Sequence, residues 1–223
     1  GGRGTAAACA LILLAPAHVC LAGVNSLDPL LLPRGVALPL ELLALSFLLE
    51  SRGRLAFGFL GLAACLHAPS AAALAVASSF WIAGSRDSDR TSPLFFFGGA
   101  MPVLVVWVRG FFGEQASTPS LLVDSDWMTI IDGRLSAHID PGSWALTEWV
   151  WGISQLLILL AFSFAPRLKE GRRLLLLLTG GLVAWAVIGG SLLGRTLGLA
   201  LPLQLEPWES LRFLPWLLGI SMG

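Results

Sequence analysis

The densest run of residues able to do chemistry lies between positions 124 and 144. It reads Asp124-Ser125-Asp126-Trp127, then Asp132-Gly133-Arg134, then His138-Ile139-Asp140-Pro141, and ends at Trp144. Carboxylates, an imidazole and a guanidinium brought together can activate a hydroxyl, hold a phosphate or share a divalent metal. Asp132 and Asp140 are therefore candidate catalytic acids, and Arg134 and His138 candidate substrate ligands. A lone loop histidine is more often a surface residue than a ligand, so His138 gains its weight from these neighbours. Glu148 joins the acids for a different reason. It stands in an apolar stretch, where an ionisable side chain is costly and is usually paired or functional. Ala145, Glu148, Gly152 and Gln155 recur at three- and four-residue steps, a small-and-polar stripe that directs Glu148 into a bundle interior.

A second run is Gln204-Leu-Glu206-Pro207-Trp208-Glu209-Ser-Leu-Arg212. Gln204, Trp208 and Arg212 at four-residue steps would line one helical face, with the indole stacking on a ring and the guanidinium meeting an anion. Interfacial anchoring explains the same spacing equally well. Pro207 suits a first helical turn, and Glu206 and Glu209 suit its positive end. His67 is the third candidate, because His67-Ala68-Pro69-Ser70 interrupts an apolar stretch. Glu41, beside Pro39, is a shallower intramembrane acid, and His18 is expected to be packed and hydrogen-bonded.

The elements that must carry these residues follow from composition. Of 223 residues, 56% are hydrophobic and 13% charged, with a mean hydropathy of +0.79; a soluble domain carries about a quarter charged residues. Zero net charge argues against a nucleic-acid partner. Cys9, Cys20 and Cys65 fall in apolar segments without paired spacing, so neither a zinc site nor a disulfide framework is expected. Apolar segments at 5–23, 36–50, 55–84, 94–110, 145–165, 174–192 and 212–223 read as helices, since backbone groups in lipid must be satisfied within the segment. The expected fold is all-α: a polytopic transmembrane helix bundle forming a single transmembrane domain over 1–223, a fragment of a longer membrane protein.

The 55–84 stretch is too long for one upright crossing. Pro69 makes a break cheap, which predicts a hairpin of helices 55–67 and 70–84 with His67 near the tip. With that hairpin, nine of the fourteen basic residues fall on one side, as expected of cytoplasmic loops. The His67 tip and the long connections 111–144 and 193–211 then share the outer face. Within the first connection, Trp127, Ile130, Ile131 and Arg134 form the stripe of an interfacial helix, started by a cap from Asp124 or Ser125.

Pro33-Arg34-Gly35 to Ser51-Arg52-Gly53-Arg54, followed by Gly58-Phe-Leu-Gly61-Leu-Ala-Ala-Cys-Leu-His67-Ala-Pro69, resembles the short hairpin of the GT-C superfamily of membrane glycosyltransferases. Arg134, His138, Pro141 and Trp144 together with Gln204-x-Glu206-Pro207-Trp208 are similar to an uncharacterised bacterial family of GT-C-like membrane architecture. The resemblance implies an enzyme of the bacterial inner membrane that takes sugar from a polyprenyl-phosphate donor. A carboxylate would activate the acceptor, and Arg134, His138 and Arg212 would stabilise the leaving lipid phosphate. It implies membrane lipid as a partner and leaves a divalent metal open as cofactor. The alternative from another class is a non-catalytic membrane protein: a transporter, a lipid-handling protein or an envelope-complex subunit.

Overall fold

The computed structural model describes residues 33–84, 89–111, 122–164 and 172–222. The apolar segment 5–23, with Cys9, His18 and Cys20, lies outside the described residues. Those described are mostly helical, and their only β pairing is an isolated bridge between Leu122 and Leu199. The helices are α1 (Pro33–Leu49), α2 (Gly53–Ala64), α3 (Ala68–Gly84), α4 (Leu94–Gly99), α5 (Met101–Phe111), α6 (Ser125–Ile139) and α7 (Leu146–Ser163). They continue with α8 (Arg172–Ala184), extended by a π-helix over Trp185–Thr196, then α9 (Ala200–Gln204), a 3-10 segment Pro207–Phe213 and α10 (Leu214–Met222).

α2 and α3 form the hairpin expected from the Pro69 break, a few residues offset from the bounds read in the sequence. Leu66 and His67 both donate their amides to the Ala63 carbonyl, which closes α2. Pro69 then sits in the first turn of α3, where its missing N–H leaves nothing unpaired. The hairpin is antiparallel: a Cβ added at Gly53, the start of α2, would stand 3.2 Å from Ile82 Cδ1 near the end of α3. Small residues make the tip compact, with Ala37 of α1 buried among Ala63, Ala64, Ala71 and Ala100.

The 94–110 segment differs from expectation, being two helices with a turn at Ala100. Gly98 and Gly99 weaken a helix, and Pro102 lacks a donor for the turn before it. The break lets α4 cross α2 backbone to backbone, since a Cβ at Gly61 would stand 2.7 Å from the Ala100 amide nitrogen.

α8 runs antiparallel to α3. Gly84 meets Leu177 near the start of α8, and Gly181 packs on Ala77 further along. From Arg173 to Thr196 it is 24 residues long, and among the described residues it is the one helix long and apolar enough to cross a membrane. That length is roughly the 30 Å of a bilayer's hydrocarbon core. The segment 207–213 does not leave the bundle but turns back along α8. Pro207 lies against Gly189, Trp208 against Gly190, and Ser210 Oγ donates to the Leu182 carbonyl at 3.1 Å. Every residue from Pro207 to Phe213 is buried.

Candidate functional site

Three elements converge at the hairpin tip: the start of α1, the α2–α3 turn and the re-entrant 207–213 segment. Their meeting point is a cluster of charges around Glu209. Arg34 Nη1 donates to Glu209 Oε1 at 3.3 Å, and Arg212 Nη1 donates to the same oxygen at 3.4 Å. The other oxygen, Oε2, faces His67 Nε2 at 3.7 Å. Arg212 Nη2 also donates to the Arg34 carbonyl at 3.4 Å, tying the re-entrant segment to the first turn of α1.

Burial divides the cluster into an inside and an entrance. Glu209 is 1% and Arg212 0% exposed, whereas the side chains of Arg34 and His67 keep 21% and 19%. A buried charge is costly unless it is both paired and hydrogen-bonded, so Glu209 acts as the anchor that lets two guanidiniums sit side by side. On its far side His67 Nδ1 lies 2.8 Å from Ser70 Oγ, and that hydroxyl donates to Glu41 Oε1. Glu41 itself is fully buried two turns along α1 from Arg34.

The local sequence explains why the segment can turn inward. Glu206 adopts a left-handed backbone (φ 39°), so the chain reverses sharply between α9 and Pro207. Such a conformation is uncommon outside glycine and tends to mark functional turns. The π-helix widens α8 where Gly189 and Gly190 face the segment, and a Cβ at Gly190 would overlap the Trp208 indole. Trp208 packs edge-on against Trp144 at 5.0 Å, and Trp144 stacks at a tilt on Trp149 at 4.9 Å. Such ring pairs contribute about 0.5–1.5 kcal/mol each beyond their area. The Trp208 indole N–H is buried, with no acceptor among the described residues.

Of the residues singled out in the sequence, His67, Trp208 and Arg212 come together here. Gln204 does not join them: it is exposed on α9, because the 3-10 winding after Pro207 takes it off a four-residue stripe. Asp132 and Asp140 form a separate group at the surface, where Arg195, in the last turn of the π-helix, reaches Asp132 at 3.2 Å and Asp140 at 3.5 Å. Asp140 also accepts from the Gly142 amide, starting the short turn before α7. Glu148 lies in the first turn of α7 and is half-buried, with its carboxylate accepting the Ala145 amide at 3.0 Å. That is helix-start chemistry, while Gly152 and Gln155 of its stripe are buried. Asp124 caps α6 through the Trp127 amide, as expected. Arg134 and His138 belong to α6, but their side chains lie outside the described residues.

Among the described residues no three His, Cys, Asp or Glu side chains are grouped to hold a metal ion. Glu209, Arg34 and Ser70 were missed as site residues by sequence reasoning. Glu209 and Arg212 are opposite charges three apart, but Gln204 and Glu206 beside them make the run read as a polar connection. No family model, curated protein or solved structure matches the chain.

Proposed function

We propose that the chain is a polytopic membrane protein that acts at the outer face of a bacterial inner membrane on a lipid-linked phosphate substrate, as a GT-C-like glycosyltransferase. Embedding of more than one helix is supported by how apolar and polar residues are arranged. α7 exposes Leu146, Val150, Trp151, Ile153, Leu157 and Leu160 while burying Gln155 and Ser163. That inversion of the soluble pattern suits lipid on the outside and small or polar residues between helices. α2, α3 and most of α7 are further apolar helices of lesser length.

The observation that carries the functional reading is the pair of guanidiniums held by one buried carboxylate, with an imidazole at the entrance. On this reading Arg34, backed by Arg212, takes the donor phosphate through charge-assisted hydrogen bonds. His67 is held through Nδ1 by Ser70. Its Nε2 accepts the proton of the acceptor hydroxyl as that oxygen bonds to the sugar carbon and the lipid phosphate departs, with Glu209, 3.7 Å away, stabilising the imidazolium that forms. Asp132, Asp140 and Arg195 would pin the interfacial helix α6 beside the entrance.

The test is transfer of radiolabelled sugar from polyprenyl-phosphate donors by the purified full-length protein. Turnover should fall at least about 100-fold in His67→Gln and Arg34→Ala, the usual loss for a positioned acid-base or oxyanion group. Donor binding without transfer in the wild type would instead favour a non-catalytic transporter, lipid-handling protein or envelope-complex subunit.

A further inference from the structure

α7 and α8 do not close against each other along their whole length. Between them runs a groove of about 310 Å³, lined on α7 from Leu156 to Ser163 and on α8 by Leu176, Thr179, Gly180 and Val183. At Gly180 it is open, since an added Cβ would meet no atom within 4 Å. Ser163 spends its hydroxyl hydrogen on the Leu159 carbonyl at 2.8 Å, so the α7 wall is apolar in effect. Thr179 differs: its hydroxyl oxygen is buried and has no partner among the described residues. An unmade hydrogen bond in such a place is expensive, and an occupant that brings an acceptor removes the cost.

The groove also has a direction. α8 starts at the hairpin base, where Arg173 donates to the Gly84 carbonyl. Arg172, Leu176, Thr179 with Gly180, and Val183 follow at three- and four-residue steps and so share one helical face. That face carries a basic residue and a helix N-terminus at the base, a hydroxyl two turns further on, and apolar surface around and beyond it. No carboxylate lines the groove.

We infer that the groove between α7 and α8 binds one anionic phospholipid from the leaflet at the hairpin base. The phosphate sits at the start of α8 beside Arg172, an acyl ester carbonyl accepts from the Thr179 hydroxyl, and the chain lies over Gly180 and Val183. Charge complementarity selects the head, because a basic residue near the membrane surface and a helix N-terminus both favour a net negative group. The inference rests on the membrane-embedded part of the proposed function and does not need glycosyl transfer.

The test adds phosphatidylglycerol, phosphatidylcholine of the same chains, or glycerol 3-phosphate to the delipidated full-length protein in detergent. Native mass spectrometry counts what is bound, and thermal unfolding reads stabilisation. Phosphatidylglycerol should be retained over phosphatidylcholine and raise the unfolding temperature, while the glycerol 3-phosphate head alone should do neither. Arg172→Gln should cut the preference about fivefold, the usual worth of one basic side chain at an anionic surface. Gly180→Leu should abolish retention without destabilising the lipid-free protein, because its side chain enters open space. Equal retention of the two lipids by the wild type, or undiminished phosphatidylglycerol binding in Gly180→Leu, would overturn the inference. So would a lipid-indifferent dimer that Gly180→Leu dissociates, which would give the groove to a second copy of the chain. A protein that stays monodisperse without detergent would overturn the embedding as well, whereas one that needs detergent and ignores phosphatidylglycerol loses this site alone.

Discussion

At the scale of single residues, Arg212 and Glu209 show how costly charges shape the site. Both are sealed from solvent, and breaking one half of a buried pair costs about 3–5 kcal/mol, whereas replacing both partners by apolar residues is often neutral. Arg212→Met should therefore lower the thermal unfolding temperature in detergent, and Glu209→Leu should lower it further, because Glu209 keeps Arg34 as a partner in the first variant whereas the second leaves two guanidiniums without their carboxylate. Equal unfolding of wild type and Arg212→Met would remove the pair from the account. At the opposite end, Asp89 shows the exposed counterpart. Its carboxylate accepts from the Thr91 hydroxyl and amide and from Arg54, and these hold it down to about 2. A depressed carboxylate adds stability above its ordinary value near 3.8, and that contribution disappears as pH falls toward 2. Thr91→Val should move the Asp89 titration, followed by NMR, back toward its ordinary value; an unmoved midpoint would show that Arg54 alone sets it. The sequence made His67 legible through the break at Pro69 and Arg212 through its four-residue step from Trp208, although the 3-10 winding of 207–213 does not keep that stripe. It hid Glu209, since a carboxylate beside Pro207 reads as a helix start until tertiary packing turns the segment inward.

At the scale of elements, the decisive one is the π-helical end of α8. Regular i→i−4 winding would not be expected to place Gly189, Gly190 and Gly194 in the same way toward Pro207, Trp208 and Leu203. Nothing in the 174–192 pattern announces the change, as periodicity near 3.6 does not resolve a few residues of wider winding. The hairpin was readable from Pro69, because proline acts locally. The break at Ala100 was not, because Gly98, Gly99 and Pro102 each tolerate either outcome. Gly190→Leu should push Trp208 off α8 and open the stack with Trp144, costing about 1–3 kcal/mol as overpacking does. Tryptophan fluorescence and thermal unfolding would both register it. A Gly190→Leu protein with native fluorescence and stability would mean that the re-entrant segment does not depend on the glycine face.

At the scale of the molecule, the two ends of the bundle differ in kind. The hairpin base carries exposed ion pairs, Arg52 with Glu50 and Arg54 with Asp89, and Arg173 caps the Gly84 carbonyl there. The tip end buries its charges around Glu209 and holds the Arg195 group nearby. Between them lie helices whose outward faces are leucine, valine, isoleucine and phenylalanine. Under the proposed function the first end would be the solvated basic side and the second the functional side. What composition made readable is the helical class, since long apolar segments with short charged knots leave few other elements to form. The most direct test uses a full-length, cysteine-free protein, with Cys9, Cys20 and Cys65 replaced, carrying single cysteines at Ser51, Ser143 or Gln204 in intact bacterial cells. The account predicts that Ser143→Cys and Gln204→Cys react with a membrane-impermeant maleimide from outside, and that Ser51→Cys reacts only after the membrane is opened. Labelling of Ser51→Cys from outside together with Ser143→Cys would place both ends on one side and contradict it.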